Sequence, residues 1–310
     1  MFYRLRDLFN RIFFNISVRK ILSTPPLCPS IKGKKIIFLS MLSHKDLIMY
    51  LVAIKSLYSF WRLGEIVLLN DGSLTGNDLD LISRHLPIYE IHNVSSVDVG
   101  ACPRGGCWER LVLISSYVEK GFYVIQVDSD TVTIADCQEV LNCYYNNKPF
   151  VLRGEKTAKI STLIDISSAS KKKLKKLRNK NLVQLVFESY LQDLVGYPVH
   201  RLRYVRGCAA FAGFPPYSFT FSDLERFSLN MENLVGNLWY AWGSEQFCSN
   251  FILANMSDLF LLPWHKYRNY DGELSNFEGI SFLHFIGIHR FKRGVYRKLA
   301  NKVIETFFIR

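Results

Sequence analysis

Four apolar runs separated by helix-patterned stretches constrain this chain more than anything else in it. "KKIIFLSML" (34–42), "EIVLLNDGS" (65–73), "IYEIHNV" (88–94) and "FYVIQVDSDTVTI" (122–134) each read as a strand. Between them, "DLIMYLVAIKSLYSF" (46–60), "GNDLDLISRHL" (76–86) and residues 109–120 read as helices, the first with Asp46 in its opening turn. Strands apolar along their length need cover on both faces, and alternating helices supply it. The expectation is an α/β fold with a mostly parallel sheet and helices on both faces. Ligands of such sheets sit beyond the carboxyl ends of the strands, where "NDGS" and "DSD" both fall.

Asp128 and Asp130 raise the chemical question. Residues i and i+2 of an extended chain share a face, so the two carboxylates point together. Like charges at the end of a buried strand repel, so water or a cation must lie between them. Two converging carboxylates make a hard oxygen site for Mg²⁺ or Mn²⁺. The plainer alternative is a turn capped by aspartates.

After residue 150 the alternation weakens. "KKKLKKLRNK" (171–180) reads as a solvated or mobile loop, and "YVRGCAAFAGFPP" (204–216) as a strand entering a turn. "GSEQFCSNFILANM" (243–256) reads as a helix, with Ser244 as the cap before an acidic first turn. The chain then passes from "ISFLHF" through a basic cluster into a last amphipathic helix. At the other end Leu5, Leu8, Phe9, Ile12, Phe13 and Ile16 recur at helical spacing, interrupted by Arg4, Arg11 and Arg19. That helix either packs on the domain or lies on an anionic membrane. "STPPLCPS" (23–30) follows as a linker. The expected division is a basic amphipathic segment and linker (1–30), a catalytic domain (31–295) and a basic amphipathic helix (296–310).

The net charge of +12 calls for anionic partners, whether phosphates, nucleic acid or acidic lipid. No nucleic-acid motif accompanies it, so a nucleic-acid or anionic-surface binder stands as the rival reading. The seven cysteines show neither zinc spacing nor a small-domain disulfide framework, which suits reduced thiols in the cytosol. No stretch has the apolar length of a membrane span, and the N-terminus lacks the features of a secretory signal. Arg290, Lys292, Arg293, Arg297, Lys298 and Lys302 crowd the last helix, whose Tyr296, Leu299, Val303 and Phe307 share a face. They point to peripheral binding at the cytoplasmic face of a membrane.

"DSDTV" satisfies the D-x-D-x-T/V of haloacid-dehalogenase-type phosphatases. That motif, however, sits on a first strand and is completed by a later acidic pair; here three strands precede it and no Asp-Asp pair follows. Several segments together, over residues 34 to 295, resemble the GT-A glycosyltransferases. Within that group the likeness is to the glycogenin-like and lipopolysaccharide galactosyltransferase-like branch. "LLNDGS" resembles the turn after the second strand, which implies a base or ribose contact at Asp71. "WERLVLISSYVEKGFYVIQVDSD" resembles the arginine-bearing helix before the metal strand, which implies a donor contact at Arg110. "GSEQFCSN" resembles the D-Q-D-x-x-N segment, with Glu245 in place of its first aspartate. "LHFIGIHRFKRG" resembles the H-x-x-G segment, although the K-P-W that follows it in the branch is absent.

The resemblance implies a GT-A, Rossmann-like fold and a metal-dependent hexosyltransferase, with retention favoured and inversion left open. It would move a sugar from a nucleoside diphosphate sugar to a glycan or lipid-linked glycan of lipopolysaccharide, O-antigen or capsule type. Asp128, Asp130 and His284 would hold Mn²⁺ or Mg²⁺. Gly287 would admit close backbone approach, Arg290 or Lys292 would meet the diphosphate, and Glu245 with Gln246 would lie at the reacting face. The implied partners are donor, acceptor and an anionic membrane surface, not nucleic acid.

Overall fold

The computed structural model describes residues 2–28, 35–177 and 182–309. Along the chain come α1 (Phe2–Ser17), β1 (Ile36–Leu42), α2 (Leu47–Trp61), β2 (Glu65–Asn70), α3 (Gly76–His85) and β3 (Ile88–Asn93). Next are α4 (Trp108–Glu119), β4 (Tyr123–Val127), β5 (Thr131–Thr133), α5 (Gln138–Tyr145), β6 (Phe150–Arg153), β7 (Ser161–Thr162), α6 (Leu163–Lys176) and α7 (Val183–Tyr190). The remainder is β8 (Arg203–Tyr204), β9 (Gly207–Phe214), α8 (Phe221–Val235), α9 (Ser244–Ala254), β10 (Phe260–Leu261), β11 (Tyr267–Asn269), β12 (Phe282–His284) and α10 (Val295–Thr306). The fold is mixed α/β, with a mostly parallel seven-stranded sheet in the order β10-β6-β9-β4-β1-β2-β3. The chain forms two compact units, each built from separated stretches: Met1–Asn93, Ile125–Asn142 and Leu262–Arg310, and Val94–Val124 with Cys143–Leu261.

In the first unit, β1 pairs parallel with β2, and β2 with β3. The apolar runs of β1 and β2 are buried along nearly their whole length, as the sequence requires of strands covered on both faces, whereas β3, at the end of the sheet, is half-buried to exposed throughout. Helix α2 is apolar on nearly every side and correspondingly buried. It ends at Arg62 in the left-handed region, and the turn into β2 needs Gly64 at φ +86. A Cβ at Gly64 would lie 3.0–3.1 Å from Ile36 and Phe38, a tight fit that adds to the strain a side chain would meet at this φ.

The "DSD" stretch is not one strand. It is a turn between β4 and β5, and β5 joins a separate three-stranded sheet in the order β11-β12-β5. Two hydroxyls fix this turn. Ser40 Oγ on β1 donates to Val127 O at 2.7 Å, and Ser56 Oγ on α2 accepts from Thr133 N at 3.0 Å.

In the second unit, β6 pairs antiparallel with β9 and parallel with β10. Its core is aromatic: Phe227 stacks on Phe251 at 4.1 Å, and Trp239 meets Trp108, Phe187 and Phe247 edge-on. Buried Glu188 binds Arg206 through both carboxylate oxygens, at 2.8 and 2.7 Å, and accepts from Ser170.

Two local expectations are corrected. Lys171 to Lys176, read as part of a loop, continue α6, while residues 178–180 of that run lie outside the described residues, as do residues 29 and 30 of the linker. Ser244 does not cap α9: the cap is Gly243, and Ser244 Oγ accepts instead from Trp108 Nε1 at 2.8 Å. Among the described residues no helix is long and apolar enough to cross a membrane.

Candidate active site

Register builds the first cluster. β12 pairs antiparallel with β5 so that His284 lies opposite Thr131, the residue after Asp130. Phe285 N donates to Asp130 O at 2.8 Å, locking the two segments together. One ligand atom from each of Asp128, Asp130 and His284 therefore falls within 4.8 Å of the others. Residues 156 apart in the chain at the widest thus converge on one point because three short strands pair.

The neighbouring strand orients the imidazole. β11 runs parallel to β12 with Asn269 opposite His284. His284 Nδ1 donates to Asn269 Oδ1 at 2.9 Å, which leaves Nε2 to face Asp130 Oδ1 at 3.3 Å. A hydrogen bond on one ring nitrogen sets the tautomer and presents the other as a ligand. Asn269 was not foreseen. Its only sequence signal is a short "YRN" stretch that can be recognised as a strand once its partner is known.

Asp130 is 6% exposed and met on both oxygens, by the His284 ring at Oδ1 and by Arg290 Nη2 at Oδ2, 2.6 Å away. Burial alone would raise its carboxyl; the charge and hydrogen bond of His284, with the Arg290 guanidinium, outweigh burial and hold it at about 2. Arg290 Nε also donates to Phe285 O at 3.2 Å. This arginine, expected on the diphosphate, rests on the aspartate in this structure.

Gly287 adopts φ +45 beside open space, with nothing within 4 Å of where a Cβ would stand. Lys292 is exposed, and its carbonyl accepts from Tyr270 Oη at 3.1 Å. Tyr296, fully buried on α10, stacks on Phe285 and donates to Ser129 O in the aspartate turn at 3.4 Å. Asp71 is exposed and engaged in its own turn, its Oδ1 accepting from Ser73 N and Oγ.

The donor set fits a divalent cation. An ion about 2.1 Å from each ligand brings ligand atoms to roughly 3–4.3 Å of one another, a small contraction of the observed spread. Two carboxylates and one imidazole suit Mn²⁺ better than an all-oxygen site would.

The second unit carries the remaining expected residues. Arg110 on α4 and Glu245 on α9 form a buried pair, Nη2 to Oε1 at 3.4 Å. Gln246 Oε1 accepts from Ala209 N on β9 at 3.1 Å.

No protein-family profile and no curated protein sequence matches the chain. Solved structures do. The galactosyltransferase LgtC, in complex with donor and acceptor sugar analogs, is 8% identical with a TM-score of 0.51, covering 87% of this chain and 96% of its own. The glycosyltransferase GlyE of Streptococcus pneumoniae is 11% identical with a TM-score of 0.50, covering 89% of this chain and 64% of its own. The bifunctional glycosyltransferase WbbM is 16% identical with a TM-score of 0.49; the match takes in 84% of this chain but spans only 47% of that protein. With its mostly parallel sheet and Asp-x-Asp turn, the chain has the GT-A fold and resembles the glycosyltransferases built on it.

Proposed function

We propose that the protein is a metal-dependent glycosyltransferase that moves a sugar from a nucleoside diphosphate sugar to a glycan or lipid-linked glycan. The observation that carries this reading is the cluster of Asp128, Asp130 and His284, whose Nε2 is presented by Asn269. The fold adds support, since LgtC of the same architecture was solved with donor and acceptor sugar analogs.

Asp128, Asp130 and His284 would hold Mn²⁺ or Mg²⁺, which when bound supplies charge neutralisation for a departing diphosphate. The chain's own residues do the rest. Arg290, already at the cluster, and Lys292, two residues on, place positive charge where diphosphate oxygens gain charge. Asp71 and Arg110 are assigned to the nucleotide and sugar. Glu245 is assigned to the reacting face beside Gln246. In a retaining reaction, the outcome the resemblance favours, its carboxylate stabilises a positively charged, sugar-like transition state. In an inverting one it takes the proton of the acceptor hydroxyl. The setting proposed is the cytoplasmic face of a membrane, with lipopolysaccharide, O-antigen or capsule precursors as acceptors.

The test is metal-dependent release of nucleoside diphosphate across a panel of nucleotide-sugars, repeated with Glu245→Gln. That variant should lower kcat by roughly 10²–10⁴ with little change in donor affinity. No turnover of any donor with Mn²⁺ or Mg²⁺ would sink the reading. Near-normal kcat in the variant would leave Glu245 as a structural partner of Arg110.

A further inference from the structure

Helix α1 is built the wrong way round for a helix of a globular protein. Leu5, Leu8, Phe9, Ile12, Phe13 and Ile16 all face water, Phe9 at 69% and Ile16 at 66% exposure. At 3.6 residues per turn these six form a strip roughly 140° wide. The opposite side holds the helix down. Phe14 is buried against Tyr296 and Phe291, with ring centroids 4.2 and 5.8 Å away, and Arg11 pairs with Asp46. A surface helix normally buries its apolar stripe and wets the other face. Here the attached face is the narrow one and the wide apolar one is left outside, an exposed patch of the sort that marks an interaction surface.

The expectation placed membrane binding on the last helix and left α1 either packed on the domain or lying on a membrane; the packing of the two helices separates their roles. Tyr296, Leu299, Ala300, Val303 and Ile304 of α10 are buried, so its apolar face is consumed by packing. What α10 shows outward is charge: Lys298 and Lys302 are exposed, and the Arg297 guanidinium sits 4.4 Å over the Phe13 ring, at the edge of the α1 strip. Arg6, Arg19 and Lys20, on and just after α1, are exposed as well. Arg297 of α10 and Arg6 of α1 thus put cations at the edge of the apolar strip, Lys298 and Lys302 share the outward face of α10 with Glu305, and Phe308 and Ile309 are exposed apolar side chains beyond it.

We infer that α1 is an in-plane anchor for an anionic bilayer: its six-residue apolar strip enters the headgroup–acyl boundary while the basic rim meets lipid phosphates. This rests on the proposed function only for the expectation that the acceptor is lipid-linked; the surface itself is independent of the transfer chemistry. Charge decides between a bilayer and a second copy of the chain. A two-fold self-contact through this strip would bring like cations together, which is repulsive, whereas an anionic leaflet meets them with opposite charge. The geometry is that of an interfacial helix, apolar on one side and held by basic residues at the headgroups.

The experiment is co-sedimentation of the whole chain, without donor or metal, with vesicles of phosphatidylcholine alone or mixed with phosphatidylglycerol. Binding should favour the anionic vesicles and fall with salt. The double variant Phe9→Asp, Ile16→Asp should lower partitioning by at least about tenfold with an unchanged Tm, because both side chains contact mainly water in the free protein. Equal binding to both vesicle types, or a double variant that binds like the parent, would overturn the inference. So would light scattering that shows a dimer dispersed by the same substitutions, which would give the strip to a second copy. None of these results depends on turnover, so failure here leaves the glycosyltransferase reading to its own test.

Discussion

Asp130 meets the His284 ring on one oxygen and the Arg290 guanidinium on the other, and this shapes what the cluster can do without metal. His284 and Arg290 substitute for an ion there, so an arriving metal competes with them, and His284 must change from hydrogen-bonding partner to ligand. The exchange is easy only if the ring is already oriented, which is the task of Asn269. Asn269→Ala should therefore weaken Mn²⁺ binding by about 10–100-fold, the usual effect of losing a ligand's outer partner. Asn269→Asp should retain most of the affinity, since a carboxylate also accepts from Nδ1. Titration with the metal alone reads this directly, and unchanged affinity in the alanine variant would remove His284 from the ligand set. Asp128 and Asp130 were legible in the sequence because their chemistry lies in their own spacing. Asn269 was not, because it matters only through register with a strand elsewhere in the chain. The Arg110–Glu245 pair was hidden for the same reason, its members 135 residues apart.

Elements differ in how openly the sequence declares them. β1, α2, β2 and β4 follow from long apolar runs, and α3 from Leu79, Ile82 and Leu86 at helical spacing. Helix α6 was missed because its buried positions include Ser167 and Ser170, so no apolar stripe marks it, while its lysines are good helix formers that can also face solvent. Of the small sheet, β12 is legible in "ISFLHF" and β5 reads as a continuation of β4, whereas β11 was missed because a three-residue strand carries no period. One element-level feature remains to be tested. Lys55 of α2 is buried, and its Nζ donates to Thr24 Oγ1 at 2.7 Å and Pro25 O at 2.8 Å, with His85 Nδ1 at 2.9 Å. It ties the segment after α1 and the end of α3 to α2. Burial pulls its ammonium down from 10.5 to about 8. The unfolded chain then keeps a proton that the folded chain has released between those values. Stability from this group is therefore flat below pH 8 and rises from pH 8 towards 10.5. Lys55→Met, which loses these hydrogen bonds, should cost on the order of 1–3 kcal/mol near neutrality. The Tm gap between parent and variant should widen as pH rises from 8 to 10. A gap that narrows over that range would mean Lys55 is not strained by burial.

At the scale of the whole molecule, a site of three ligands should behave as one unit whose occupancy is felt by global stability. Two carboxylates and an imidazole leave coordination positions that donor phosphates can fill, so metal and donor should bind better together than either does alone. A donor at about 100 times its Kd stabilises by roughly 2.7 kcal/mol, which for a chain of this length moves Tm by about 4 °C. The expected result is a shift of that size with Mn²⁺ and the correct nucleotide-sugar, a smaller one with Mg²⁺, and little with either component alone. Asp130→Asn and His284→Ala should each abolish most of it. Asp130→Asn needs its own metal-free baseline, because a carboxyl held at about 2 contributes stability above the ordinary carboxylate range that is lost as pH falls towards 2. The double variant should lose scarcely more of the metal-linked shift than the worse single one, since groups acting on one ion are not additive. Losses that add in full would mean the two side chains act separately. A His284→Ala protein with an intact Mn²⁺-dependent shift would return the histidine to a packing role beneath β5 and leave the two aspartates to hold the ion with water.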